Sequence, residues 1–307
     1  MADDWANENR TVEYQKNTTF KLNQKPGLIY PLAGSTSMYS GASSQIEDQF
    51  DDDFNLEDKD GINTDTNNRD ASSERRWVKK PKSANVAPLR DRDAMKATSV
   101  DIDSPLVEGT ARGTRRYHDD KFIEGYFGTA WTGEHGDTPV PFKAGNRIVV
   151  DLGGAATGLT EDKIIALAEA YELADCDIEE EQPIVLLTPK QVSDLQRIDR
   201  YVKSNYDGRL VLARRELKPW QNLRFMPVNL GSPKAYPRSS KLTKSETTRM
   251  LPTFMPSGMH RAVWTEFFGR ITERDDKNFS KQVYAEACST ATRLMEDKCF
   301  ILECKEG

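Results

Sequence analysis

The chain has 307 residues, of which 37% are hydrophobic and 30% charged, with a formal net charge of −6. No stretch approaches the ~18 apolar residues of a membrane-spanning helix, and the opening MADDWANENR lacks the basic and apolar parts of a secretory signal. Four cysteines without paired spacing fit a reducing compartment, and the negative balance argues against a protein that coats nucleic acid with its whole surface.

Large aliphatic residues and Phe are unevenly spread: 14 fall in residues 1–99 and 48 in residues 100–307. The first third therefore has too little apolar area to offset the entropy of ordering it, whereas the remainder suffices for one or two domains. Residues 1–46 are polar, with Leu28, Ile29, Tyr30 and Leu32 as isolated anchors, and read as an extended arm. From Glu47 to Asp60 eight acids accompany one Lys, including Asp51, Asp52 and Asp53. The sign then reverses: Arg75, Arg76, Lys79, Lys80, Lys82, Arg90 and Arg92 face only Glu74 and Asp91. Two solvated loops explain this pattern as well as complementary patches that meet on different subunits.

Met95 to Ile102 alternates as a strand, and Ser104-Pro105 marks the start of a long helix, 104–129. Val107, Ala111, His118, Phe122 and Tyr126 recur at helical spacing along it. Gly109 and Gly113, four apart, leave a bare stripe where another backbone can approach, at roughly 1 kcal/mol each in helix propensity. A Gly/Pro-rich link, 133–141, leads to a strand at Arg147 to Leu152. Thr160 is the expected N-cap of the next helix, with Leu159 and Ile164 as its hydrophobic staple and Leu167, Ala168 and Tyr171 on its buried face. Pro183 to Leu187 reads as an apolar strand, and Thr188-Pro189-Lys190-Gln191 opens a third helix lined by Val192, Leu195 and Val202. Residues 227–260 carry five prolines and read mostly as loop, Asn278 to about Ala291 as helix, and Phe300 to Cys304 as a closing strand. Strands and helices without regular alternation indicate an α+β class, with no internal repeat.

The residues that invite chemistry have plainer accounts. Tyr117-His118-Asp119-Asp120 resembles a metal or phosphohydrolase motif, but adjacent helical residues point about 100° apart and only His135 and His260 remain to converge; a buried His is expected. The segment Asp151 to Gly158 has the place of a phosphate loop without its spacing or its Lys, and Glu161 and Asp162 would repel a phosphate. Cys288, Cys299 and Cys304 form no zinc pattern and read as core thiols, the last two on opposite sides of their strand. Trp77 is the sole aromatic of the basic stretch, so base stacking is not indicated and protein docking ranks above nucleic-acid binding. The sequence indicates no catalytic group, cofactor or metal.

From residue 95 onward the sequence resembles major capsid proteins of tailed bacteriophages, of the Hong Kong 97-type fold. The resemblance rests on five ordered segments: Arg115 to Gly128 (RRYHDDKFIEGYFG), Gly158 to Ile164 (GLTEDKI), Lys190 to Leu195 (KQVSDL), Lys203 to Arg209 (KSNYDGR) and Asp276 to Cys304. None is a catalytic signature. The resemblance implies an N-terminal arm (1–50), an E-loop reaching a neighbour (51–99), and a peripheral domain with a spine helix (100–154). An axial domain (155–260) and a return to the peripheral domain (261–307) complete the plan. It implies a non-enzymatic subunit that forms pentamers and hexamers of an icosahedral shell around DNA, assembled in the host cytoplasm, with packaged DNA met only non-specifically and no membrane. Scaffold, portal and cement proteins are the possible further partners. Arg75, Arg76, Lys79, Lys80 and Lys82, with Asp51 to Asp53, are the candidate inter-subunit contacts. Some relatives ligate Lys to Asn between subunits; Lys79, Lys80 or Lys82 would supply the amine here, with no acceptor identified. The alternative from another class is a cytosolic oligomeric α+β enzyme with a disordered N-terminal tail, and a weaker one is a nucleic-acid-binding basic loop.

Overall fold

A computed structural model describes residues 29–50, 73–90, 103–204, 217–228 and 244–306. After a 3-10 turn at Tyr30–Leu32 come strands β1 (Ser35–Met38), β2 (Ser43–Phe50), β3 (Ser73–Lys79), β4 (Ala84–Val86) and β5 (Leu89–Arg90). Helix α1 (Asp103–Phe127) leads to β6 (Ala130–Thr132), β7 (Thr138–Val140) and β8 (Arg147–Ile148). Then follow α2 (Glu161–Leu173), β9 (Ile184–Leu187), α3 (Pro189–Leu195), α4 (Asp199–Ser204) and β10 (Arg224–Pro227). Strands β11 (Thr248–Phe254), β12 (Met259–Arg274), β13 (Ser280–Arg293) and β14 (Cys299–Lys305) complete the order. The strand expected at Met95 to Ile102 lies outside the described residues.

Three sheets result. The central one has the order β10-β9-β11-β14-β8, with β10 and β9 parallel, β14 and β8 parallel, and antiparallel pairs between. Strands β9 and β14 read as apolar runs because both their faces are covered. Val185, Leu187, Phe300, Leu302 and Cys304 pack with Ile164, Leu167 and Tyr171 of α2 and with Val192 and Leu195 of α3. The alternate residues Ile184, Leu186, Cys299 and Ile301 pack with Phe122, Ile123 and Tyr126 of α1. Cys299 and Cys304 thus lie in different clusters, as their spacing predicts, and burial raises both thiols, Cys304 to about 12. The staple residues Leu159 and Ile164 are both buried. Thr160 and Thr188 sit at their N-cap positions without capping through their side chains.

A second sheet is dominated by the β12–β13 hairpin, with β1 parallel to β12 and β4 and β5 against β13. Here the structure corrects the helix expected from Asn278 to Ala291, which is strand β13. Its Gln, Ala and Glu content favours helix, but Val283, Ala285, Ala287, Ser289, Ala291 and Arg293 are all buried, a period of two. Burial against β12 and α1 overrides propensity. The loop expected across 227–260 is also corrected, since β11 lies within it. Pro252 is tolerated there because β9 pairs only with Thr253 and Phe254, leaving one side of Pro252 outside that ladder. The third helix divides into α3 and α4, with Gln196 to Ile198 between them. The strand at 147–152 is only two residues long and ends in a turn where Gly153 (φ 89°) and Gly154 (φ 98°) take backbone conformations open to glycine.

The bare stripe on α1 receives no backbone of its own chain among the described residues. Gly109 and Gly113 face open space; the close approach is at Gly125, where a Cβ would collide with the carbonyl of Ala291 in β13. The third sheet, β2-β3-β6-β7, joins the extended β2–β3 hairpin to the short hairpin that replaces the expected link at 133–141.

Candidate functional site

The basic stretch singled out from sequence is β3 and the residues just after it. Alternation along a strand sends neighbouring side chains to opposite faces, and it divides the cations. Arg75, Lys79, Lys80 and Lys82 are exposed, whereas Arg76 is buried beside Val78 and lies 3.7 Å from Glu74. The Lys79 ammonium sits 3.2 Å over the Trp131 ring, so part of its charge is already engaged within the chain. Trp77 lies opposite Trp131 in register and donates its indole N–H to the Gly133 carbonyl at 2.7 Å, and Thr132 donates to the Arg75 carbonyl at 2.9 Å. The base of the hairpin is thus anchored by two tryptophans.

The acidic block is divided as well. Glu47 and Asp48 stand opposite Arg76 and Arg75 in the β2–β3 ladder of the same chain. Asp51, Asp52 and Asp53 lie outside the described residues.

The other polar clusters serve packing. His118 is buried, with Nδ1 2.7 Å from Ser289 Oγ and Nε2 2.9 Å from the Glu266 carbonyl. Burial first, and the Arg261 charge second, pull its pKa down to about 4, so it is the neutral core histidine expected. Asp119 accepts the backbone N–H groups of Ile29 and Tyr30 at 3.1 and 3.0 Å. Lys163 is fully buried and donates to the carbonyls of Val150, Thr157 and Glu303 at 2.9–3.0 Å, tying the Gly-rich turn to β14. Arg293, also fully buried, bonds the carbonyls of Tyr126, Gly128 (2.6 Å) and Val140 (3.3 Å) and pairs with Glu296 at 2.8 Å. Nothing in the sequence marked Lys163 or Arg293, because their partners are carbonyls contributed by distant segments.

An open groove of about 760 Å³ at the start of α2 is lined by Glu161, Lys190, Asp194, Arg197, Asp199 and Lys305 among others. Both signs alternate around it, and Lys190 and Arg197 already approach Asp194 at 3.0 and 3.9 Å. That neutralised rim has no set of groups poised for acid–base or nucleophilic work. Among the described residues no group of His, Cys, Asp and Glu converges to hold a metal, and no helix is long and apolar enough to cross a membrane.

Three comparisons place this geometry. A family model described as phage capsid protein matches residues 6–306. No curated protein matches. The chain superposes on the capsid structure of the cyanophage P-SCSP1u with a TM-score of 0.63 at 12% identity, covering 90% of this chain and 87% of that one. The capsid of Ralstonia phage GP4 gives 0.63 at 9% identity, over 90% and 88% of the two chains. The capsid of an empty GTA particle gives 0.56 at 13% identity, over 91% and 90%.

Proposed function

Since the chain belongs to the phage capsid protein family, and so is a structural subunit of a virion shell built from copies of itself, we propose that its mechanism is purely geometric, without catalysis. Copies gather into pentamers and hexamers, and the segment before α1 ties them together. The single observation carrying this reading is the distribution of the core. Among the described residues before 103, Ile29 and Val78 are the buried apolar side chains, with Tyr30, Leu32 and Ala33 half-buried against one cluster; the core clusters are otherwise built from residues after 110. Stretches of that segment that the body does not clasp are ordered by partners, and in a shell of identical subunits those partners are neighbours.

In this reading the β2–β3 hairpin is the E-loop, and α1 is the spine of a peripheral domain completed by the β12–β13 hairpin. The central sheet with α2, α3 and α4 belongs largely to the axial domain. Arg75, Lys80 and Lys82 are the cations presented to a neighbour, with Asp51 to Asp53 their candidate complement. Arg76 and Lys79 hold the hairpin on its own subunit. Scaffold, portal and cement proteins join the assembly as further partners, and packaged DNA is met through non-specific contacts only.

The test is to reverse Arg75, Lys80 and Lys82 to Glu while leaving Arg76 and Lys79 in place. One exposed ion pair contributes only about 0–1 kcal/mol, but the contact recurs at every subunit. The expected outcome is an unchanged melting curve with absent or aberrant shells in electron micrographs. Normal shells from this variant would reduce the basic face to a solvated surface.

A further inference from the structure

We propose that residues 29–41 form an acid-released strap, gripped from the two faces of the β12–β13 sheet by the imidazoles of His260 and His118. The strap adds β1 as a parallel strand on the edge of β12, with Ser35 to Met38 in register with His260 to Val263. On one face His260 engages the strap with both ring nitrogens. Nδ1 lies 2.6 Å from Ser35 Oγ, and Nε2 lies 3.0 Å from the Tyr39 hydroxyl. On the other face Tyr30 is sandwiched, with its ring 5.3 Å from that of His118 and the Arg261 guanidinium 4.3 Å above it. Other contacts hold the strap without an imidazole. They include the Asp119 carboxylate under Ile29 and Tyr30, the Gly34 and Tyr39 N–H groups on the Pro256 and Val263 carbonyls, the Trp264 indole on the Gly41 carbonyl, and the packing of Ile29 into the core beside α1.

The groups facing each imidazole settle what protonation does. His260 meets the two hydroxyls of the strap and, across the ladder, Thr292 of β13; burial is the cause that lowers it to about 4. Its strand neighbour Arg261 projects to the opposite face by alternation. His118 meets Ser289 of β13, the Glu266 carbonyl and the cation of Arg261 from β12, and Tyr30 of the strap, with Asp119 and Asp120 on its own helix. The Glu266 carboxylate partly offsets Arg261. Hydroxyl partners accept from an imidazolium as well as they donate to an imidazole, so protonation need not break these bonds. What changes is solvation: a cation gains far more from water than from this site. The sign follows. Both pKa values lie below the ordinary 6.5, so the grip is fully present above pH 6.5 and is lost as pH falls from 6.5 toward 4. Lifting the strap hydrates His260 directly and uncovers one side of His118.

The experiment is deuterium uptake of the unassembled full-length chain between pH 7 and pH 4, with rates corrected for the intrinsic pH dependence of amide exchange. Exposure of His260 alone predicts that the amides of Ser35 to Tyr39 open about 100-fold more often at pH 4 than at pH 7, while those of β14 hold their protection. A strap that stays equally protected at both pH values overturns the proposal. So does a strap that opens only together with β14, which would be global acid unfolding. His260→Gln retains a donor and an acceptor but does not titrate, and it is expected to flatten the pH dependence of the strap. An unaltered pH dependence in that variant also overturns the proposal, and should it fail to fold, the comparison of strap with β14 in the natural chain decides.

Discussion

The chain before α1 and the body after it are stabilised by different physics. In the body, burial does the work: the central sheet is covered on both faces, and even its charged residues, Lys163 and Arg293, are enclosed and bonded to backbone carbonyls. Before α1, apart from buried Ile29 and the short ladders of β1, β4 and β5, polar single contacts hold the chain to the body: a carboxylate under two N–H groups, an imidazole between two hydroxyls, and a lysine on a tryptophan. A region built on burial fails when one residue no longer fits. A region built on separate polar clasps loosens one clasp at a time.

That contrast makes its largest prediction inside the body. Arg293→Ala would leave the Tyr126, Gly128 and Val140 carbonyls and the Glu296 carboxylate without their partner, and is expected to cost about 3–5 kcal/mol in denaturant titration. A loss under 1 kcal/mol would show that the body tolerates polar vacancies as the strap does. Next, Gly125→Ala drives a methyl into the Ala291 carbonyl and should cost about 1–3 kcal/mol, whereas Gly113→Ala, on the same helix but facing open space, is expected to stabilise by up to about 1 kcal/mol. Equal melting temperatures for the two variants would place the helix–sheet contact elsewhere. A similar loss of about 1–3 kcal/mol is expected of Lys163→Met, which strands three carbonyls, and thermal melting reads it directly. The smallest effect belongs to the hairpin. Lys79→Ala removes one cation–π contact worth about 0.5–1 kcal/mol, visible as faster exchange of the β2–β3 amides with no change in the melting of the body.

The same contrast decides what could be read from sequence. Helix α1 was legible because Ala111, His118, Phe122 and Tyr126 turn one stripe to a single surface, and β14 because both its faces are apolar. The helix α2 announced itself through Leu159 and Ile164. Strand β13 misled because its small residues, Ala285, Ala287 and Ala291, favour helix, and only the partner strand, paired across as many as 34 residues, reveals the period of two. Strand β1 (STSM) carries no pattern at all, since what holds it, His260, lies 225 positions away. Of the candidate contact residues, composition located the charged strand, but only the strand's alternation separates buried Arg76 from exposed Arg75. The stacking of Lys79 on Trp131 follows from a sheet that the local sequence does not encode.

The place of β14 in the central sheet bears on how the protein is made. The last strand of the chain lies between β11 and β8, so the sheet lacks an interior member until residues 299–305 have left the ribosome. The strap is in the same position: Ser35 is translated 225 residues before the histidine that receives it. At roughly 5–20 residues per second, that delay is about 10–45 s. Throughout it the strap lacks the histidine that receives it. The strap can therefore be clasped only after the strand that receives it has been made.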